Sequence, residues 1–288
     1  MKIPPLRIVL SGGGIRGVAY IGVFLELEKQ GFLKNIKDVL GVSCGAMFGF
    51  AHVLGYTPIE MYNLAYSLDF SLLQNIDPDV TLNYFTTYGV DDGSNLEKFL
   101  ESLVRNKGLS KTITFQELYE KTHILFRCYA VELHCSSLKE FSYKTTPNCD
   151  VLFALRASMC IPGYFIPVVD GTTLYVDGGI INNYPIDLLT YEEQQNTLGI
   201  TFSQLHVTKE KIDSIDEFLS QVIACSYSIN TVKVTRHEIV IPCGDFPLWK
   251  FHASQEERLH LIDCGRKAVE EFFSFTRKTP PLRRYSVS

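Results

Sequence analysis

The chain contains no Cys-x-x-Cys pair, although it has eight cysteines, so a zinc ribbon or a dithiol redox centre has no support. It has no Asn-x-Ser/Thr acceptor, and its first residues, MKIPPLRIVL, hold neither a continuous apolar stretch nor a cleavage site. Basic excess is missing too: 27 Lys and Arg stand against 32 Asp and Glu, a net charge of −5. That balance argues against nucleic acid as a partner. No internal repeat and no long linker interrupts the sequence. A weakly charged run at 39–56 could pass for a membrane span, but it carries four glycines, a serine and a histidine, so it reads as a buried strand and helix. These absences leave a globular chain of 288 residues, large enough to bury a sizeable core. The eight cysteines are expected as buried thiols of a reducing, cytoplasmic setting.

The chain is organised around residues 7–49. Ile8-Val9-Leu10 has the apolar character of a parallel strand, and it runs into Gly12-Gly13-Gly14-Ile15-Arg16-Gly17. A helix follows to about Gln30, with Gly31 past its end. Val39 to Val42 is the next strand, and Ser43 to about Leu54 the next helix, giving a parallel α/β start. Further on, helices are expected from Pro58 to about Leu68 and over 95–106, with an irregular segment at 69–94 between them. Thr114-Phe115-Gln116-Glu117 fits a capping box. A strand at 124–133 can pair with 139–144 across a turn at 134–138. A helix over 150–159 precedes a hairpin, 165–169 and 173–176, that ends at Asp177. A short helix after Pro185, a strand at 197–202, a helical region at 214–232, a strand at 238–241 and a helix at 254–276 complete the reading. A single domain spans 1–276, and 277–288 form a basic, flexible tail.

Two glycine-rich turns carry the chemistry. Gly41-Val42-Ser43-Cys44-Gly45 is a Gly-x-Ser-x-Gly elbow between strand and helix. Glycines two residues before and after the serine are what such a tight turn needs, and the turn lifts the hydroxyl to a helix N-terminus. The loop at 12–17 also fits a dinucleotide fingerprint, which wants an acidic residue after the second strand. Asp38 begins that strand, and the position after it is Ser43, so an oxyanion loop is the better reading.

A serine nucleophile needs a base. His206, His237, His252 and His260 follow Asp177, so a Ser, Asp, His order is formally open, but none sits in a distinctive motif. His52 lies in the elbow helix and points away by spacing. Asp177, at a strand end before Gly178-Gly179, could itself take the proton if held close in a partly dry pocket.

Together with Leu155-Arg156-Ala157-Ser158, Pro162, Phe165-Ile166-Pro167 and Asn182-Asn183-Tyr184-Pro185, these motifs resemble the patatin-like phospholipase family in order and spacing over about residues 6–203. The resemblance implies a three-layer α/β/α sandwich with a mostly parallel central sheet. It implies a lipid acyl hydrolase with a Ser43–Asp177 dyad and an oxyanion hole at Gly12, Gly13 and Gly14. Arg16, Gly17, Gly41, Gly45, Gly178 and Gly179 support those motifs. It requires no metal and no cofactor. Ser11 stands where many members carry Asp. The alternative is a catalytically silent lipid-binding or scaffold protein on the same fold. A phospholipid or other glycerolipid substrate implies contact with a membrane surface. The aromatic segment 61–88 is a candidate lid or acyl-chain wall, and Arg277, Lys278, Arg283 and Arg284 are candidates to touch anionic headgroups.

Overall fold

The computed structural model describes residues 4–203 and 237–278, and between them only Asp213, Phe218, Gln221, Val222 and Cys225. The expected helix at 214–232 (apart from those four residues from Phe218 to Cys225), His206 and the tail beyond 278 lie outside the described residues.

Eight strands form one sheet among the described residues: β1 (Arg7–Leu10), β2 (Asp38–Val42), β3 (Leu125–Glu132), β4 (Ser137–Phe141), β5 (Val168–Asp170), β6 (Thr173–Asp177), β7 (Thr197–Phe202) and β8 (Glu238–Ile241). Their order is β5-β6-β3-β2-β1-β7-β8, with β4 also on β3. The β3-β2-β1-β7-β8 stretch is parallel, and β4, β5 and β6 pair antiparallel. Strand alternation divides the apolar residues between two faces. Ile8, Leu10 and Val39 join the larger core, under α1 (Ala19–Lys29), α2 (Cys44–Val53) and the long helix Gln255–Lys278. Val9, Leu40 and Val42 pack on the other face against Tyr184, Ile186 and Leu189. The sheet is thus the middle of a three-layer α/β/α sandwich. Where β1 and β2 begin, Asp38 accepts from both Arg7 and Arg127 at 2.6 Å, so a buried carboxylate is held between two guanidiniums.

Most expected elements are present, including a complete capping box on Thr114 and Glu117 ahead of the helix Phe115–Thr122. Three expectations need correction. The helix after the first glycine loop begins as a 3-10 turn, Gly14–Val18, because the loop closes tightly before α1. The segment expected to be irregular holds a 3-10 turn (Phe70–Leu73) and two short helices, Pro78–Leu82 and Tyr84–Thr87. Asp69 and Asp77 cap the first two of these by accepting from backbone N–H groups two residues on. The cysteines are not uniformly buried: Cys135 and Cys225 are exposed, and Cys149 and Cys264 half-buried.

The sheet sets the distance between the two motif halves. β4 occupies one edge of β3 over Cys128–Glu132. β6 pairs with Ala130–Glu132 and must therefore use the edge that β2 uses at Leu125–Tyr129. A strand has only two edges, so β2 and β6 run head-on along the same one. Val42 stands opposite Tyr129 and Asp177 opposite Ala130. Ser43, the next residue after β2, is delivered to Asp177 by this register.

Candidate active site

Ser43 sits at φ 54° and ψ −127°, a left-handed conformation that costs a non-glycine residue on the order of 1–3 kcal/mol. Its neighbours explain how the turn survives. A Cβ on Gly41 would stand 2.5 Å from the Ala46 Cα, and one on Gly45 would stand 2.5 Å from the carbonyl oxygens of Leu10 and Ser11. The Ser43 N–H donates to the Ser158 hydroxyl at 2.9 Å, and both residues are buried. Ser158 closes the helix Val151–Ser158, so the third motif braces the elbow.

Asp177 is 3% exposed. Its Oδ1 accepts from the Gly179 N–H at 2.8 Å. Its Oδ2 is buried and meets no donor in full hydrogen-bond geometry. Burial raises the carboxyl pKa to about 6, and the Ser43 hydroxyl and the Gly179 amide hold it partly down. Gly178 has no room for a side chain, since a Cβ there would meet the Tyr129 carbonyl oxygen at 2.5 Å. That packing seats the carboxylate against β3.

The first glycine loop passes next to Ser43. A Cβ on Gly12 would lie 3.3 Å from the Ser43 Cβ and 2.3 Å from Asn183 Oδ1. Gly12 is tied to Asn183 in both directions: its N–H donates to the Asn183 carbonyl at 3.0 Å, and Asn183 Nδ2 donates to the Gly12 carbonyl at 3.2 Å. The Gly12 amide is therefore already engaged by Asn183. Gly14 has φ +56°, and a Cβ there would strike the Leu248 carbonyl oxygen at 2.1 Å. That same carbonyl accepts from the Ile15 N–H at 2.8 Å. Arg16 is buried with its guanidinium over the Phe202 ring, 5.1 Å from the centroid, and a Cβ on Gly17 would press on the Cys44 side chain at 2.8 Å. Arg16 is thus a packed residue of the loop. Cys44, next to the serine, has its thiol pushed up to about 12 by burial, so it is not a competing nucleophile near neutral pH.

Ser43 opens on an apolar pocket with Gly14, Met47, Phe48, Phe70, Leu73 and Phe251 among its walls. No described histidine lines it. His52 instead stacks on Phe24, centroids 5.6 Å apart, and His260 lies within reach of Cys264. Among the described residues no group of His, Cys, Asp and Glu is arranged to hold a metal, and no helix is long and apolar enough to cross a membrane.

Sequence reasoning quoted Ser158 and Asn183 inside motifs without giving them roles at the site. Leu248 and Phe251 carried no signal, because they reach the site only through the packing of the segment after β8.

The sequence profile described as patatin-like phospholipase matches residues 8–190. A probable lipid hydrolase of Invertebrate iridescent virus 6 is 33% identical over 190 residues, 66% of this chain and 65% of that protein, so the match spans just under two thirds of that relative's length. An uncharacterized protein of Bacillus subtilis, YqhO, is 28% identical over 288 residues, covering 92% of this chain and 96% of its own. Among solved structures, VipD from Legionella pneumophila superposes with a TM-score of 0.62 at 18% identity, over 95% of this chain and 67% of that one.

Proposed function

Since this chain belongs to the patatin-like phospholipase family, we propose that it is a lipid acyl hydrolase in which Ser43 is the nucleophile and Asp177 the base. The observation that carries the reading is the Asp177 carboxylate, buried and with one oxygen lacking a full partner, beside a serine in a strained elbow at the mouth of an apolar pocket. The viral relative named a probable lipid hydrolase is in keeping with it.

In this mechanism Ser43 Oγ attacks the ester carbonyl carbon, and its proton passes to Asp177. The carbonyl oxygen becomes an oxyanion facing the Gly13 and Gly14 amides, where each donor contributes about 3 kcal/mol of transition-state stabilisation. Collapse breaks the bond to the leaving alcohol, which takes the proton from Asp177. Water then attacks the acyl-serine, giving its proton to Asp177. The Ser43–acyl bond breaks, the fatty acid leaves, and Ser43 is reprotonated. The buried Asp177, with its pKa raised to about 6, is a stronger base than a solvated carboxylate and is still ionised at neutral pH.

The glycerolipid is met at a surface. Asn75 N–H donates to Asp91 Oδ2 at 2.7 Å and closes the base of an excursion over residues 76–91. At one root Phe70 and Leu73 line the Ser43 pocket, and at the other Gly89 packs on Phe165 of the same wall. Between the roots Leu82 is 82% exposed and Phe85 89% exposed. Within the excursion Asp77 and Asp79 are exposed, and residues 76–91 contain no Lys, Arg or His. This tip suits zwitterionic or neutral lipid better than an anionic bilayer.

The test is labelling with a serine-reactive fluorophosphonate, together with fatty-acid release from mixed phospholipid vesicles. Both are expected in the wild type and absent in Ser43→Ala. Retained hydrolysis in Ser43→Ala would overturn the reading, and a wild type silent in both assays would point to the scaffold alternative.

A further inference from the structure

A second apolar pocket adjoins the Ser43 pocket, and Met47, Phe48 and Phe70 line both. Its remaining walls include Ile21, Ala51, Met61, Ala65 and Leu103. The one hydroxyl among its walls, that of Tyr56, donates to the Leu103 carbonyl at 2.9 Å. No polar group is left to hold water, so the compartment suits hydrocarbon.

The two compartments are in line with the elbow. Ser43 precedes α2; Met47, four residues on, lines both pockets, and Ala51, four further along the same helix face, lines the second. Eight residues of helix advance about 12 Å, so the face forms a track of that length leading away from the nucleophile. Met47 stands part-way along it, and an unbranched thioether side chain changes rotamer readily.

We propose that the acyl chain of the substrate runs along this face of α2, past Met47 and into the second compartment, whose depth makes the enzyme selective for long acyl chains. Ala51 and Ala65 are the residues that leave the far end open. The inference rests on Ser43 being the nucleophile proposed above.

Ethyl and dodecyl fluorophosphonates report both parts by their rates of reaction with Ser43. The wild type should react faster with the dodecyl probe. Ala51→Leu and Ala65→Leu, on two different helices, should each lower the dodecyl-to-ethyl rate ratio at least about tenfold, the discrimination expected when methylenes are refused by an apolar pocket. A variant that still reacts with the ethyl probe retains its active site. If such variants keep the wild-type ratio, or the wild type shows no preference for dodecyl, the track is overturned. If the wild type reacts with neither probe, the nucleophile reading fails, and this inference fails with it.

Discussion

Gly12 and Asn183, 171 residues apart, are joined by two hydrogen bonds, one in each direction. The pair fastens the glycine loop to the segment after Asp177, so Ser43, Asp177 and that loop are held in one frame. Asn183→Ala removes the side-chain half of this tie. We expect a fall in kcat of about tenfold or more with little change in KM, because the loop amides act on the transition state. Steady-state kinetics on a short ester checks this, and a change confined to KM would contradict it.

The pH profile follows from Asp177. The carboxyl must be ionised to accept the Ser43 proton, and burial puts its pKa at about 6. Activity should therefore level off above about pH 7 and fall about tenfold by pH 5. A flat rate between pH 5 and 8 would exclude Asp177 as the base.

Burial of the same carboxyl has an opposite effect on stability. Its pKa is higher in the folded state than the ordinary 3.8, so the folded chain binds the proton more tightly. The corresponding stability is fully present below about pH 4 and is lost as pH rises through about 6. Asp177→Asn removes the charge, so it should be more stable than wild type at pH 7.5 by about 2–3 kcal/mol, with the gap closing toward pH 4. Denaturant melts at the two pH values measure it, and a variant less stable at pH 7.5 would refute it. The same variant should lack esterase activity.

Ser158→Ala leaves the buried Ser43 N–H without its partner. The cost should be about 1–3 kcal/mol of stability, with reduced turnover because the elbow loses its brace. Chemical denaturation and kcat, measured together, test both halves. Ser158→Thr, which keeps the hydroxyl, should recover part of each.

Leu82→Ser with Phe85→Ser should weaken binding to phosphatidylcholine vesicles at least about tenfold, since two large apolar side chains are withdrawn from the lipid. Adding phosphatidylserine should not strengthen wild-type binding, given the exposed Asp77 and Asp79 and the absence of Lys, Arg and His from residues 76–91. Flotation assays decide. Unchanged binding by the double variant would move the docking face elsewhere.

Local patterns were enough for the elbow, the glycine loop and most strands and helices, because those elements depend on neighbours in sequence. Gly41 and Gly45 are needed by a turn five residues long, and the apolar run Ile8–Leu10 suits only a buried strand. The capping of Phe115–Thr122 is likewise a contact between residues three apart. The 3-10 turn and two short helices from Phe70 on escaped because each is only four or five residues long, too short for a helical period to show.

Sequence by itself determined which residues could do the chemistry: a serine on a tight turn, a glycine loop free of side chains, and an aspartate before two glycines. Tertiary structure decided how they stand to one another. Strands β2 and β6 share an edge of β3 and bring Ser43 to Asp177, and Asn183 engages the Gly12 amide. The apolar pocket is assembled from residues as far apart as Gly14 and Phe251. These relationships depend on edge pairing and side-chain packing between distant segments. No local pattern encodes them, because each partner is ordinary in its own stretch of sequence.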